Sequence, residues 1–272
     1  DIEFIQSGSI AMFFTEAEKR GLTGLAERRI DRGFSAEMLT AEQVWELEPA
    51  ISKEVVGGIR FPHDAQVRNP KLVRALAKGA AQLGTKFLFG NPVTAFLREG
   101  NRVIGVEVNG APVHGNTIVI AAGCWSGKIA GLLGYALPIE PARGQMVLAE
   151  AMPPILRHTI DGLGVYLVPR ADGKILIGAT VEFVGYDKRT TLEGTRQLIE
   201  AGITLMPELA EKSFVQTWAG LRPYAKNPYL GKLPGFDNII VASGHHKNGI
   251  LLSPITGKLI CELITTENPS MA

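Results

Sequence analysis

Apolar residues recur every four positions at Leu251, Ile255, Leu259 and Leu263, after an unbroken apolar run, Ile239-Ile240-Val241-Ala242, and a glycine-bracketed loop, Ser243 to Gly249. The change from a continuous run to a helical period predicts a strand, a turn and a helix. Such a turn presents free backbone N–H groups and the positive end of a helix dipole. In an open α/β sheet it would face an anionic or electron-rich ligand at the carboxyl end of a strand. An ordinary strand-to-helix turn has the same pattern. The layout occurs once more upstream. Ile118 to Ala122 is apolar throughout, as in a strand covered on both faces, and runs into Gly123-Cys124-Trp125-Ser126-Gly127 before a short helix. A parallel sheet would put both glycine loops on one edge.

Elsewhere the pattern predicts a hairpin-like opening over residues 1 to 15, with a strand at Ile2–Ile5, and a charged amphipathic helix from Glu16 to Ile30. Thr40 with Gln43 three residues on marks the start of a short helix that stops before Pro49. Asn69 as cap, Pro70 at the first helical position and Gly84 past the end bracket a helix with the apolar stripe Leu72, Val73, Leu76, Ala80 and Leu83. A strand at Thr85–Phe89 follows, then a hairpin, Val93–Leu97 and Val103–Val108, turning at Gly100-Asn101. Between the two glycine loops the alternation predicts strands at 146–149, 165–168, 174–180 and 214–218. A helix capped by Thr190 with Glu193 crosses that region.

These elements read as α/β in class, α+β overall. Residues 61–134 and 225–272 form one domain, and residues 135–224 form an inserted mixed or antiparallel sheet domain to which residues 1–60 belong. The formal net charge is +1, from 28 basic and 27 acidic residues, which gives no electrostatic case for nucleic acid or a membrane surface as partner. Cys124 and Cys261 lie far apart with no CxxC spacing, so neither a disulfide framework nor a thiolate metal site is expected, and no histidine spacing suggests a metal. A cytoplasmic setting is the default reading. The chain begins at Asp1 inside a strand-like stretch, and residues upstream are expected.

Six motifs in order then carry a resemblance: Val-Arg-Asn-Pro (67–70), Ala-Ala-Gly-Cys-Trp-Ser (121–126), Pro-Ala-Arg-Gly-Gln (141–145), Tyr-Leu-Val-Pro-Arg (166–170), Trp-Ala-Gly-Leu-Arg-Pro (218–223) and Gly-His-His-Lys-Asn-Gly-Ile-Leu-Leu (244–252). Together they resemble the D-amino-acid oxidase superfamily of FAD-dependent oxidoreductases, most closely the glycine oxidases of thiamine biosynthesis. The resemblance implies a Rossmann-like FAD-binding domain lacking its first βαβ unit, with an inserted substrate domain. It implies FAD as cofactor, a small amino acid as substrate, O2 as acceptor and a homo-oligomeric assembly. The family's opening G-x-G-x-x-G turn has no counterpart in these 272 residues, so the pyrophosphate half of the cofactor site is expected upstream.

By the same resemblance Arg222 binds the substrate carboxylate, which suits a planar, always-charged fork, and Tyr166 donates to that carboxylate. A structural ion pair and a cross-strand aromatic are the competing readings of these two. Lys247 stands where glycine oxidases carry an arginine, keeping the charge without the fork. Gly244, His245, His246, Lys247, Asn248, Gly249, Ile250 and Leu251 would run along the flavin ring. Val93 would hold the adenine end. Gly123 and Trp125 are further cofactor candidates, Trp125 reading equally as core. No general base is needed if a neutral amine gives up its α-hydrogen as hydride, so no residue is assigned as a catalytic base. His63, His114 and His158 read as surface or satisfied core residues, and Arg143 and Arg170 as structural. The other readings are a flavin dehydrogenase using an acceptor other than O2, and a non-catalytic fragment or subunit.

Overall fold

The computed structural model describes residues 1–266 and 269–271 as a mixed α/β chain that divides into two compact units. Unit 1 comprises Asp1–Leu83, Gly144–Val181 and Lys188–Gly220, and unit 2 comprises Gly84–Arg143, Glu182–Asp187 and Leu221–Ala272. The divisions at 143/144 and 220/221 fall within two long strands, whereas the sequence placed domain boundaries at 134/135 and 224/225.

The chain opens with β1 (Ser9–Phe13), α1 (Glu16–Ile30), β2 (Glu37–Thr40), α2 (Ala41–Leu47), β3 (Gly57–Phe61) and α3 (Asn69–Gln82). It continues through β4 (Val93–Glu99), β5 (Arg102–Val108), β6 (Ala111–His114), β7 (Ile118–Ile120), α4 (Ser126–Gly131) and β8 (Glu140–Glu150). Then come β9 (Thr159–Gly162), β10 (Val165–Pro169), β11 (Lys174–Gly178), α5 (Leu192–Leu205), β12 (Ser213–Lys232), β13 (Ile239–His245) and α6 (Gly249–Thr265).

In unit 1 the strands run in the order β2-β3-β1-β9-β10-β11-β8, antiparallel except for the parallel pair β1/β9. Period-two alternation on β1 sends Ile10 and Met12 to one face and Ala11 and Phe13 to the other. Ala26 of α1 packs with Ala11 and Phe13, whereas α2 and α5 supply Val44, Leu198 and Leu205 to the larger cluster with Ile10 and Met12. A buried carboxylate lies within this unit. Glu48, 1% exposed, accepts from the backbone N–H groups of Arg157 and His158 and from His158 Nδ1 at 2.6 Å, so His158 is a satisfied core histidine.

Unit 2 holds the antiparallel sheet β4-β5-β6 and a second set of strands in which the later part of β12 pairs with β13 and β13 pairs in parallel with β7. Asn238, just ahead of β13, ties these together. Its Oδ1 accepts from Val103 N at 3.0 Å, and its Nδ2 donates to Val103 O at 2.7 Å and Asn116 O at 2.6 Å.

Several local expectations change. Thr85–Phe89 is not a strand: Leu88 and Phe89 are exposed and no ladder forms there among the described residues. Ile2–Ile5 contributes one isolated bridge, Ile5 to Gln66, and the first strand is Ser9–Phe13. Asn69 is the first residue of α3, and Arg68 takes the cap position without a side-chain bond. Thr191, not Thr190, caps α5: its hydroxyl accepts from Gly194 N, because Gln145 Oε1 accepts from Thr191 N and fixes the register of the turn. Thr40 with Gln43 forms the expected reciprocal cap of α2.

Asn238→Ala strands the N–H and C=O of Val103 in a buried setting, at a cost of about 3 kcal/mol. A clear fall in the thermal midpoint is the expected outcome, and a midpoint unchanged from the parent contradicts this role for Asn238.

Candidate active site

Parallel pairing of Ile239–Val241 with Ile118–Ile120 brings two glycine turns to the same end of unit 2. After β7 the chain makes a tight turn at Gly123–Trp125 and enters α4. After β13 it makes a second at His246–Asn248 and enters α6. Ser243, 2% exposed, locks the two turns together by donating from Oγ to Gly123 O at 2.9 Å. Gly244 has φ +87°, and a Cβ there would stand 3.1 Å from Ala225 Cβ of β12, so both the backbone angle and the space call for glycine.

On the antiparallel side Tyr224 pairs with His245. Arg222, two residues earlier on β12, and Lys247 both act electrostatically on His246. The Tyr224 ring stands edge-on to the His246 ring, with centroids 5.1 Å apart. His246 has φ +50°, a left-handed conformation uncommon outside glycine and one that recurs at functional turns. Burial pushes its imidazole below the ordinary histidine value, and the positive charges of Arg222 and Lys247 push it the same way. Its Nε2 is buried with no hydrogen-bond partner among the described residues. His245 is also lowered, by burial, and its Nε2 lies 3.0 Å from Thr256 Oγ1.

α6, a 17-residue helix, starts at Gly249 directly after the tight turn His246–Asn248, and Asn248 supplies no side-chain cap. Pro254 cannot donate to Ile250 O, and Ser253 Oγ does so instead at 2.9 Å, keeping that turn satisfied. Beside this helix start lies a cavity of about 340 Å³ walled by small residues, among them Ala121, Ala242, Gly249 and Gly257, with His245 and Thr256 as polar groups.

Gly123, Trp125, Arg222 and residues 244–251 therefore share unit 2. Trp125 is 44% exposed and packs 5.8 Å from the Tyr186 ring, so it is not core. Val93 heads β4 in the three-stranded sheet of the same unit, opposite Val108. Tyr166 belongs to unit 1. There it pairs across strands with Gly178, its ring filling the space where a Cβ of residue 178 would come within 2.6 Å of the phenol Cζ, and Trp218 and Met146 pack beside it. The partner role of Gly178 was not foreseen from sequence; a glycine opposite an aromatic in a hairpin was the available signal. Arg143 and Arg170 have the expected structural role. Arg143 pairs with Glu182 and Asp187, and Arg170 bonds Gln66 Oε1 and Val67 O. His63 and His114 are exposed and bonded to Ser35 Oγ and Ile104 O.

The start of α6 thus has beside it a small-residue cavity, and His246, three residues before it, keeps a buried imidazole nitrogen without a hydrogen-bond partner among the described residues. The class so defined is an α/β fold with two strand-to-helix glycine turns side by side at its strand ends. The sequence matches the FAD dependent oxidoreductase family over residues 1–263, and the chain belongs to that family. It is 36% identical over 231 residues to a glycine oxidase of Pseudomonas aeruginosa, covering 84% of this chain and 64% of that protein. It is also 36% identical to the hydrogen cyanide synthase subunit HcnC of Pseudomonas aeruginosa, over 84% of this chain and 56% of that one. The crystal structure of glycine oxidase from Geobacillus kaustophilus superposes with a TM-score of 0.96 at 30% identity, covering all of this chain and 74% of the other. The chain spans about three fifths of the length of the curated relatives it first matches. No described helix is long and apolar enough to cross a membrane.

The lowered values of His245 and His246 mean that the unfolded chain binds more protons than the folded one around the ordinary histidine value. Their contribution to stability is present above about pH 6.5 and is lost as pH falls through the folded values. Thermal melts across that window should show the midpoint dropping on acidification, with a flatter profile for His246→Asn; an identical profile in the variant counts against the buried neutral imidazole.

Proposed function

We propose that this chain forms the ring-binding and carboxylate-binding part of an FAD-dependent amino acid oxidase of the glycine oxidase kind, acting on glycine or a closely related small amino acid. The observation that carries the reading is that Arg222 and Lys247 both act on His246 beside the start of α6. Bound FAD would supply the two-electron acceptor that takes the substrate α-hydrogen as hydride, with O2 as final oxidant and H2O2 as product.

Arg222 binds the substrate carboxylate with two parallel charge-assisted bonds, and this fixes which α-hydrogen faces the ring. Lys247 adds a second positive charge without a fork. Tyr166, its ring held by the gap at Gly178, is the candidate in unit 1 for donating a hydrogen bond to substrate. Gly123, Trp125, the backbone from Gly244 to Leu251 and the α6 N–H groups line the ring, and Val93 holds the adenine end. His245 and His246 stay neutral at neutral pH, so neither presents a cation against the ring, and with a neutral amine substrate neither is needed as a base. The product imine leaves for hydrolysis in water.

A second reading keeps the same residues and passes electrons to an acceptor other than O2.

Supplied with FAD, the protein should turn yellow and release H2O2 on addition of glycine. Arg222→Ala should leave the flavin spectrum intact and weaken apparent glycine affinity about a hundredfold, the scale of losing one partner of a desolvated charge pair. Undiminished affinity removes Arg222 from the carboxylate. Reduction of a dye by glycine without O2 consumption selects the second reading, and a protein that leaves the spectrum of added FAD unchanged favours the reading of the chain as a non-catalytic fragment or subunit.

A further inference from the structure

The six residues Glu182–Asp187 form a short irregular segment of unit 2 that is held at both ends by one side chain. Arg143, 4% exposed, pairs through Nη2 with Glu182 and through Nη1 with Asp187 Oδ2 at 3.2 Å. The two backbones also exchange hydrogen bonds, Arg143 N to Glu182 O at 2.8 Å and Glu182 N to Arg143 O at 2.9 Å. A fork spanning two carboxylates is a task for arginine; a lysine would serve one at a time.

Between its pinned ends the segment touches both glycine turns. Phe183 stands edge-on to Tyr224, with centroids 5.1 Å apart, and Tyr224 in turn stands edge-on to His246. Tyr186 reaches the other turn: its hydroxyl donates to Cys124 O at 3.0 Å, its ring lies 5.8 Å from Trp125, and Lys128 Nζ sits 3.6 Å from its centroid. Burial raises the Tyr186 phenol, so it stays protonated as a donor. Nothing in the proposed chemistry uses these residues, yet they connect one buried guanidinium to both walls of the cradle.

We propose that Arg143 is a positioning residue: through the strap Glu182–Asp187 it holds the His246 ring and the Gly123–Trp125 turn in the single arrangement that receives the cofactor ring. The inference rests on the reading of this end of unit 2 as a flavin-ring cradle. Its physical content is preorganisation. A ring held from behind by Tyr224 and Phe183 keeps its rotamer and its dry surroundings, whereas a released one turns toward water.

The test is the titration of the His246 imidazole by NMR in the full chain, its resonance identified with His246→Asn. The groups facing that ring are Arg222, Lys247 and Tyr224. Phe183 is more than half exposed, so Phe183→Ala removes the strap's contact without opening a core cavity. It should move the titration midpoint up toward the ordinary histidine value. Glu182→Gln releases one end of the strap while removing a negative charge. Charge removal alone would lower the midpoint; strap release raises it, and a rise is expected. An unchanged midpoint in Phe183→Ala, or a fall in Glu182→Gln, overturns the proposal. Because this readout needs no flavin, failure of the unmodified protein to take up FAD would sink the cradle reading and leave the strap standing, whereas flavin uptake with an unmoved midpoint in Phe183→Ala overturns the strap alone.

Discussion

The parallel pairing of β13 with β7 is the constraint on which the rest of the candidate site depends. Parallel strands end at the same level, so the turns that follow them lie side by side, and Ser243 makes the juxtaposition rigid by bonding across to Gly123 O. A shift of one residue in this pairing would turn Ser243 away from Gly123 and carry the apolar residues Ile239 and Val241 out of their cluster with Ile120 and Leu133. Register here is therefore set by burial, and the polar geometry at the strand ends follows from it. Asn238 reinforces the same register from the other end, bonding β5 and the start of β7 together.

From this frame the chemistry of the turn at His245–Asn248 follows. Antiparallel β12 brings Tyr224 opposite His245, and Arg222 of the same strand acts with Lys247 on His246, adding positive charge where the start of α6 already contributes its dipole. A histidine held there cannot easily take a further charge, which is the direction seen for His246. The positive field is thus left to groups that bind anions, and the imidazole is left as a neutral hydrogen-bonding surface.

How much of this could be read from the sequence depends on the range of the interaction. The strand–turn–helix pattern at 118–127 and 239–252, the cap of α2 and the existence of α3 are local, set by neighbours within a few residues, and they are legible, whereas the apolar stripe read on α3 leaves Val73, Leu76 and Leu83 exposed. Thr85–Phe89 has the composition of a strand, but a strand exists only where another offers its backbone, which composition does not encode. Thr191 rather than Thr190 caps α5 because Gln145, 46 residues away, holds that residue's N–H. Arg143 was legible as structural; that it binds both ends of Glu182–Asp187 was not, since the pairs cross 39 and 44 residues and the segment has no periodicity. Likewise Tyr166 stood out through a family motif, whereas the gap at Gly178 that holds its ring emerges only from the cross-strand register.

These long-range contacts divide the work in a way the motifs alone do not suggest. The glycine turns supply surfaces that come close and carry few side chains, so they have little packing of their own to keep them in place. Rigidity has to be imported. Ser243 provides it between the turns, Ala225 packs against Gly244 from β12, and Tyr186 and Tyr224 support the flanks. Arg143 stands behind these supports, and pairing with both Glu182 and Asp187 offsets the burial of its charge. Loosening the segment would therefore expose or strand a buried guanidinium, and that cost opposes any motion of Phe183 or Tyr186 away from the turns. The penalty attached to a buried charge thus acts, through two aromatic side chains, to keep a glycine-lined surface in one shape.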